Sequence, residues 1–143
     1  MPYLPDAVPG PDPTIDDRAF WDYCRTGELR FQRCAECGRF RAPPTPVCPR
    51  CQSDRCDWVE ASDEAELFSY TVVHFKAHPG IASALPYNVA IIRFPSFDDV
   101  RLVSNVVGID NADLHIGMPL ALIWEGSASG IPVPRFKKRE AQP

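Results

Sequence analysis

The 143-residue sequence lacks any long uninterrupted apolar run. A helix that crosses a bilayer needs about 20 mostly apolar residues, and no stretch approaches that length. Residues 1–13 carry five prolines and no apolar segment like that of a secretory signal. We therefore expect a globular protein without a membrane partner. The six cysteines then predict a reducing compartment, most simply the cytoplasm.

Recognisable catalytic residues are also scarce. The chain has three histidines, His74, His78 and His115, and no serine or cysteine stands in a nucleophile motif. His78 opens a loop over residues 77–86, for which a surface role is the simpler interpretation and a ligand or partner contact the alternative. The sequence predicts no catalytic residue and leaves cofactor-binding residues, other than metal ligands, unknown.

Basic residues are few in the second half of the chain. Residues 56–134 carry three basic and ten acidic residues, a net charge of −7, whereas residues 25–55 carry seven arginines and three acids, a net charge of +4. A surface that binds single-stranded nucleic acid combines basic residues with exposed aromatic ones. We therefore predict no nucleic-acid partner. Most of the seven arginines are interpreted as a solvated face.

Two Cys-x-x-Cys pairs separated by ten residues are the most specific pattern in the sequence. The four residues are Cys34, Cys37, Cys48 and Cys51. Two residues between cysteines let both sulfurs of a tight turn face one ion, and two such turns complete a tetrahedral shell. Gly38 and Pro49 suit these turns, while Gln52 stands where a second glycine would fit better. We predict one structural Zn²⁺ without an open position for substrate.

The cysteine pattern has three alternative explanations: disulfides, a redox dithiol and an iron centre. Paired disulfides fit less well without a secretory signal, and a redox dithiol needs only one pair. An iron centre of rubredoxin type uses the same turns, and the sequence alone leaves it open. Cys24 and Cys56 lie outside the pattern and are predicted to be small buried apolar residues.

A helix is predicted over residues 15–25. Thr14 with Asp17 three residues later resembles a capping box, and Gly27 can end the helix. The apolar face of this helix is rich in aromatic side chains: Phe20, Trp21 and Tyr23. Such a face either packs on its own domain or docks partly on another subunit.

The predicted fold is mainly β with one N-terminal helix. The predicted order is an extended Pro-rich arm over 1–13, the helix with a rubredoxin-like zinc ribbon over 14–60, a five-stranded OB-fold barrel over 61–136 and a C-terminal tail over 137–143. Ribbon strands are predicted at 29–33 and 39–42, with closure near Trp58. Barrel strands are predicted at 67–75, 88–94, 101–107, 120–124 and 131–136, with one helical turn within 109–117. An SH3-like barrel is the alternative.

The order of these motifs resembles a known family. Its marks are Phe20-Trp21, Gln32-Arg33-Cys34-x-x-Cys37-Gly38, Pro43-Pro44, Cys48-Pro49-x-Cys51, Phe68-Ser69-Tyr70-Thr71-Val72-Val73-His74, Pro86-Tyr87 and Ile116-Gly117-Met118-Pro119. In this combination, from about residue 16 to 136, the chain resembles acyl-CoA-associated proteins that join a rubredoxin-like zinc ribbon to an OB-fold. Gln52 and Glu64-Ala65-Glu66 depart from the family, since glycine is usual at both places.

The resemblance implies a non-catalytic subunit of a thiolase-type complex that acts on a β-ketoacyl-CoA thioester. The chain is similar to the zinc-finger subunit of thiolases for bulky, including aromatic, substrates, such as benzoylsuccinyl-CoA thiolase. A thiolase-fold enzyme subunit would then be the partner in a hetero-oligomer, and some ribbon arginines could meet coenzyme A phosphates. The alternatives are a subunit of an acyl-CoA hydratase or aldolase complex, or a nucleic-acid-binding ribbon and OB-fold protein.

Overall fold

The computed structural model describes residues 2–61 and 64–140. Its α-helix, α1 (Arg18–Arg25), precedes two antiparallel sheets. The helix begins later than predicted because Thr14 and Asp17 form a turn ahead of it. The Thr14 backbone N–H and hydroxyl donate to Asp17 Oδ1 at 2.6 and 3.0 Å. Gly27 follows its end with a φ of +79°, as the sequence predicted.

The aromatic face of α1 packs mainly on its own chain. Phe20 and Cys24 are buried, and the Tyr23 ring lies 5.9 Å from the Trp58 ring, centroid to centroid. Trp21 is half-buried and donates through Nε1 to the Asp17 carboxylate at 3.3 Å. In the part of the chain that is described, no helix is long and apolar enough to cross a membrane.

The zinc ribbon is a three-stranded antiparallel sheet. Its strands are β1 (Arg30–Cys34), β2 (Phe40–Arg41) and β3 (Cys56–Glu60), in the order β2-β1-β3. Gln32 of β1 pairs with Arg41 on one side and with Trp58 on the other. The predicted closure of the ribbon near Trp58 is therefore the pairing of β3 with β1.

The second sheet has five strands, as predicted. They are β4 (Ala65–Val73), β5 (Tyr87–Phe94), β6 (Val100–Ser104), β7 (Pro119–Glu125) and β8 (Val133–Lys138), in the order β6-β5-β4-β7-β8. A parallel bridge between Val106 and Phe136 joins the two ends of this sheet, so the sheet closes in the way that an OB-fold requires. A 3₁₀ turn, Asn111–Asp113, occupies the predicted helical turn.

The predicted domain limits stay a prediction. β8 runs to Lys138, two residues into the predicted tail of 137–143. Residue 1 of the predicted arm, residues 62–63 at the predicted start of the barrel and residues 141–143 of the tail lie outside the described residues.

An aromatic cluster joins the ribbon to the barrel. The Phe31 ring of β1 lies 4.8 Å from the Phe94 ring of β5 and 5.8 Å from the Phe97 ring, between centroids. Phe40 of β2 adds an edge contact to Phe97 at 5.0 Å. Phe31 and Phe94 are almost fully buried, and aromatic edge contacts of this kind add to the energy of burial. The two sheets thus share one hydrophobic core.

The Pro-rich arm lies along the barrel. The Tyr3 hydroxyl accepts hydrogen bonds from the backbone N–H and the side-chain amide of Asn88, at 2.8 and 2.9 Å. The Tyr3 backbone N–H donates to the Glu125 carboxylate at 3.1 Å. Burial raises the pKa of Tyr3, so the phenol stays neutral near pH 7. These contacts give the arm a defined course that its composition did not predict.

Candidate metal centre

The two Cys-x-x-Cys turns have the same backbone design. In the first, the Gly38 N–H donates to the Cys34 carbonyl at 3.0 Å, and in the second the Gln52 N–H donates to the Cys48 carbonyl at 2.8 Å. Each turn therefore closes on the residue after its second cysteine. The first turn follows β1, and the second lies in the return segment before β3.

The four sulfurs meet at one point. The Sγ atoms of Cys34 and Cys51 are 3.5 Å apart, those of Cys37 and Cys48 are 3.7 Å apart, and all four lie within 4.8 Å of one another. Sulfurs on a tetrahedron with Zn–S bonds of about 2.3 Å lie roughly 3.8 Å apart. The chain thus fits one tetrahedral ion.

Backbone amides prepare part of this shell for a cation. The Cys37 N–H donates to Cys34 Sγ at 3.4 Å and lowers the pKa of Cys34 to about 7. The Cys51 N–H likewise lowers the pKa of Cys48. The Ser53 N–H acts in the same direction on Cys51, but the neighbouring thiols outweigh it and raise the pKa of Cys51 to about 11. Two of the four thiols therefore favour the thiolate that binds a metal.

The residue after each second cysteine has a left-handed backbone. Gly38 has a φ of +77° and Gln52 a φ of +65°. The left-handed region costs an ordinary L-residue roughly 1–2 kcal/mol. Gln52, noted from the sequence as the departure from glycine, is therefore strained in the folded turn.

Replacing Gln52 with glycine is expected to stabilise the metal-loaded chain by about 0.5–1 kcal/mol, since the relief of strain exceeds the extra entropy of the unfolded chain. Gln52→Ala keeps the strained backbone and should give no gain. Gly38→Ala should destabilise by about 1 kcal/mol, because a Cβ there meets open space and only the backbone is affected. Thermal unfolding of the three variants tests this. A gain with alanine equal to that with glycine would contradict it.

The two remaining cysteines differ from each other. Cys24 is fully buried on α1, and burial raises its pKa to about 12, in agreement with a small apolar role. The same prediction was wrong for Cys56, which is exposed. Cys56 begins β3 at the edge of the three-stranded sheet, and its sulfur accepts from Gln32 Nε2 at 3.4 Å.

Most of the seven arginines near the ribbon are exposed, in agreement with the sequence-based expectation. Arg30 and Arg33 are half-buried and pair with Glu28 and Asp57, each at 3.0 Å. Arg41 is only 7% exposed, which its sequence context does not predict. Period-two alternation places Arg41 opposite to Phe40 on β2, but only the fold reveals that its side of the sheet is covered. The four exposed arginines are Arg25, Arg39, Arg50 and Arg55.

The histidines occupy exposed loops. His78 Nδ1 accepts from the Gly80 N–H at 2.9 Å and caps the 3₁₀ turn Pro79–Ala84. His115 Nδ1 lies 3.5 Å from the Asp113 carbonyl, and His74 follows the end of β4. Over residues 2–61 and 64–140, the four ribbon cysteines form the one group of three or more His, Cys, Asp or Glu residues placed to share an ion.

Two domain models of one protein family match the chain. The model described as ChsH2, rubredoxin-like zinc ribbon domain, matches residues 21–57. The model described as ChsH2, C-terminal OB-fold domain, matches residues 58–125. The first match contains all four candidate metal ligands.

Curated relatives carry hydratase names. The "probable enoyl-CoA hydratase alpha subunit" of Thermomonospora curvata is 40% identical over 129 residues, which cover 89% of this chain and 39% of the relative. The "3-oxo-4,17-pregnadiene-20-carboxyl-CoA hydratase alpha subunit" of Mycobacterium tuberculosis is 34% identical over 116 residues, which cover 81% and 36%. This chain therefore spans less than two fifths of the length of these relatives.

Solved structures match the fold over most of its length. A chain of "Ltp2-ChsH2(DUF35) aldolase" superimposes with a TM-score of 0.81 at 35% identity, covering 90% of this chain and 98% of that one. A DUF35-family protein of unknown function from Sulfolobus solfataricus gives a TM-score of 0.61 at 23% identity, covering 87% and 86%. The second likeness supports the fold alone.

Proposed function

This chain belongs to the ChsH2 family of zinc-ribbon and OB-fold proteins, and from this premise we propose that it is a non-catalytic subunit of an enzyme complex acting on acyl-CoA thioesters. The observation that carries the proposal is the match to the ChsH2(DUF35) chain of an aldolase, which this chain covers almost from end to end. Two longer relatives, both named as hydratase alpha subunits, support the same class of substrate, acyl-CoA thioesters.

The ribbon geometry supports a structural role for the metal. Four cysteine sulfurs complete a tetrahedral shell, so a bound Zn²⁺ would have no free position for a thioester carbonyl or a water nucleophile. The cysteines would hold the ion, and the ion would supply cross-links between the two turns. The partner enzyme would then contribute the catalytic residues, and this chain would support the active site and its entrance.

The class of partner is proposed from the relatives' names. A hydratase or aldolase subunit comes first, because these are the activities named for proteins similar to this chain. The thiolase-type partner, its acyltransferase activity and an aromatic β-ketoacyl-CoA substrate, which the sequence resemblance implied, stay predictions. A cytoplasmic location also stays a prediction, in keeping with six cysteines that form no disulfide.

The arginine contacts of the barrel do not favour a nucleic-acid partner. Its Arg93 pairs with Glu66, and the Arg101 guanidinium lies over the Phe68 ring, 3.8 Å from the centroid. These arginines are thus engaged within an acidic half of the chain. A strand-binding OB surface instead offers free cations beside exposed aromatic rings.

The complex can be tested by co-expression with the enzyme encoded by the neighbouring gene. We expect the two chains to co-purify and the pair to turn over an acyl-CoA thioester, with no turnover by this chain alone. Candidate reactions are hydration, aldol cleavage and thiolytic cleavage of CoA esters. Full activity of the partner without this chain, or turnover by this chain alone, would contradict the proposal.

Trp21→Ala is expected to weaken this assembly by roughly 2–4 kcal/mol, a thirtyfold to thousandfold rise in Kd. Trp21 is half-buried on α1 and lines the same cavity as Val103, which is 66% exposed, so this surface offers a partner an aromatic and an apolar side chain. Phe75→Ala is the matched control, since Phe75 is a 75% exposed aromatic residue in the loop after β4. Calorimetric titration of the two chains measures both. A larger rise in Kd for Phe75→Ala than for Trp21→Ala would contradict the prediction and would place the interface at the Phe75 loop.

A further inference from the structure

A cavity of about 460 Å³ lies between α1, the ribbon and β6. This volume is within the range of small-molecule sites. Four of its nine apolar lining residues are aromatic: Phe20, Trp21, Phe31 and Trp58. Such walls suit a flat apolar body about the size of one ring or two.

Arg41 also lines this cavity, and no acidic side chain in the described part of the chain pairs with it. Its Nη2 donates to the Thr45 carbonyl at 3.1 Å. Nε and Nη1 are shielded from water and have no hydrogen-bond partner among residues 2–61 and 64–140. A guanidinium stays protonated in proteins, and burying such a charge without an anion is unfavourable. An anion with hydrogen-bond acceptors would satisfy both the charge and the two unpaired donors of Arg41.

The other charged residues of the lining are already engaged or exposed. Arg30 pairs with Glu28 at 3.0 Å, and Arg101 stacks on Phe68. Asp17 accepts from Thr14 and from Trp21. Asp16 is exposed at the mouth. Within the described part of the chain, Arg41 is thus the buried cation of this cavity that no anion or ring offsets.

We propose that this cavity binds a small organic anion, with an apolar or aromatic body against the tryptophans and a carboxylate or phosphate on Arg41. The anion would supply both the counter-charge and the acceptors for Nε and Nη1. Because no water competes at these nitrogens, such a contact would be strong. Their shielding also means that a lining side chain must move on binding. The inference concerns this chain alone and does not depend on the proposed complex.

The test uses the purified full chain with its metal and three probes: phenylacetate, its neutral analogue phenylacetamide, and inorganic phosphate. Binding is followed by tryptophan fluorescence, since Trp21 and Trp58 line the cavity, and by calorimetry. Phenylacetate should bind at least about tenfold more tightly than phenylacetamide, the minimum expected of a hydrogen bond to a charged group. Phosphate alone should bind more weakly than phenylacetate, because it leaves the apolar walls empty.

Arg41→Met removes the positive charge and keeps an unbranched apolar side chain in its place. It should weaken phenylacetate binding at least about tenfold, to the level of the amide. Without ligand, this variant should melt no lower than the parent chain, since a buried unpaired charge has been replaced by an apolar group. Arg33→Met is the matched control: Arg33 lies in the same sheet, pairs with Asp57 outside the cavity, and its loss should leave binding unchanged.

Val103→Trp gives a second variant that keeps Arg41. Val103 lines the cavity and is largely exposed, so a tryptophan there should fold normally, narrow the mouth and weaken phenylacetate binding. The proposal is overturned if the amide binds as tightly as the carboxylate, if phosphate binds as tightly as phenylacetate, or if Arg41→Met binds phenylacetate unchanged. It is also overturned if no probe binds at millimolar concentration, as when a partner's acidic side chain is the true occupant.

Discussion

Cys34→Ser is expected to abolish metal binding and unfold the ribbon, whereas Cys56→Ser should bind metal and melt like the parent chain. Cys34 Sγ lies 3.5 Å from Cys51 Sγ inside the four-sulfur shell, while Cys56 lies outside it and is exposed. Binding of structural zinc by small fingers is worth roughly 10–16 kcal/mol at neutral pH. That range matches or exceeds the typical stability of a whole domain, about 5–15 kcal/mol.

Metal analysis and thermal unfolding measure this effect. The parent chain should carry one zinc and no iron, and a chelator should lower its melting temperature as much as Cys34→Ser does. A folded, metal-free preparation would contradict the prediction. A red protein with one iron would retain the site but change its metal, the alternative that spacing alone left open.

Phe31→Ala is expected to destabilise the chain by about 3–5 kcal/mol, the usual cost of truncating a buried phenylalanine. Phe31 is 2% exposed and contacts Phe94 at the end of β5 and Phe97 in the 3₁₀ turn that follows it, with centroids 4.8 and 5.8 Å away. Its loss leaves a cavity at the junction of ribbon and barrel. The substitution should therefore destabilise the ribbon and the barrel together rather than one of them alone.

Denaturant unfolding, followed separately by metal release and by tryptophan fluorescence, measures this coupling. Both signals should shift together in Phe31→Ala. Phe75→Ala, an exposed control, should change stability by no more than about 0.5 kcal/mol. If the variant released its metal at the same denaturant concentration as the parent chain while its barrel unfolded at a lower one, the ribbon and the barrel would be two independent units instead.

The convergence of the four cysteine sulfurs was predictable because its geometry is local. Two residues between cysteines bring both sulfurs of a turn together whatever the rest of the chain does. The positive φ at Gly38 belongs to the same short-range design. The five barrel strands were also predictable, since their alternation follows from a sheet with one buried face. All but one of their ends moved by one to three residues, because hydrogen-bonded partners on other strands decide where each strand stops.

The features that were predicted wrongly or not predicted at all depend on contacts between residues distant in sequence. The exposure of Cys56 depends on β3 lying at the edge of the ribbon sheet, which no local pattern contains. The contact between Tyr3 and Asn88 spans 85 positions, so the composition of the Pro-rich arm indicated only an extended chain. The predicted capping-box contact between Asp17 and the Thr14 N–H does form, but the helical backbone bonds begin with the Trp21 N–H on the Asp17 carbonyl, so the helix starts at Arg18.

The two Cys-x-x-Cys turns, the mainly β architecture and the family can be inferred without coordinates, because each depends on spacings within a few residues or on the order of such motifs along the chain. Which of the similar arginines is buried becomes evident only in the folded chain. Arg39 and Arg41 belong to one short segment, yet Arg39 is exposed and Arg41 is 7% exposed beside a cavity. Burial depends on what surrounds a side chain, and the cavity beside Arg41 is lined by α1, β3 and β6, which come from distant parts of the sequence.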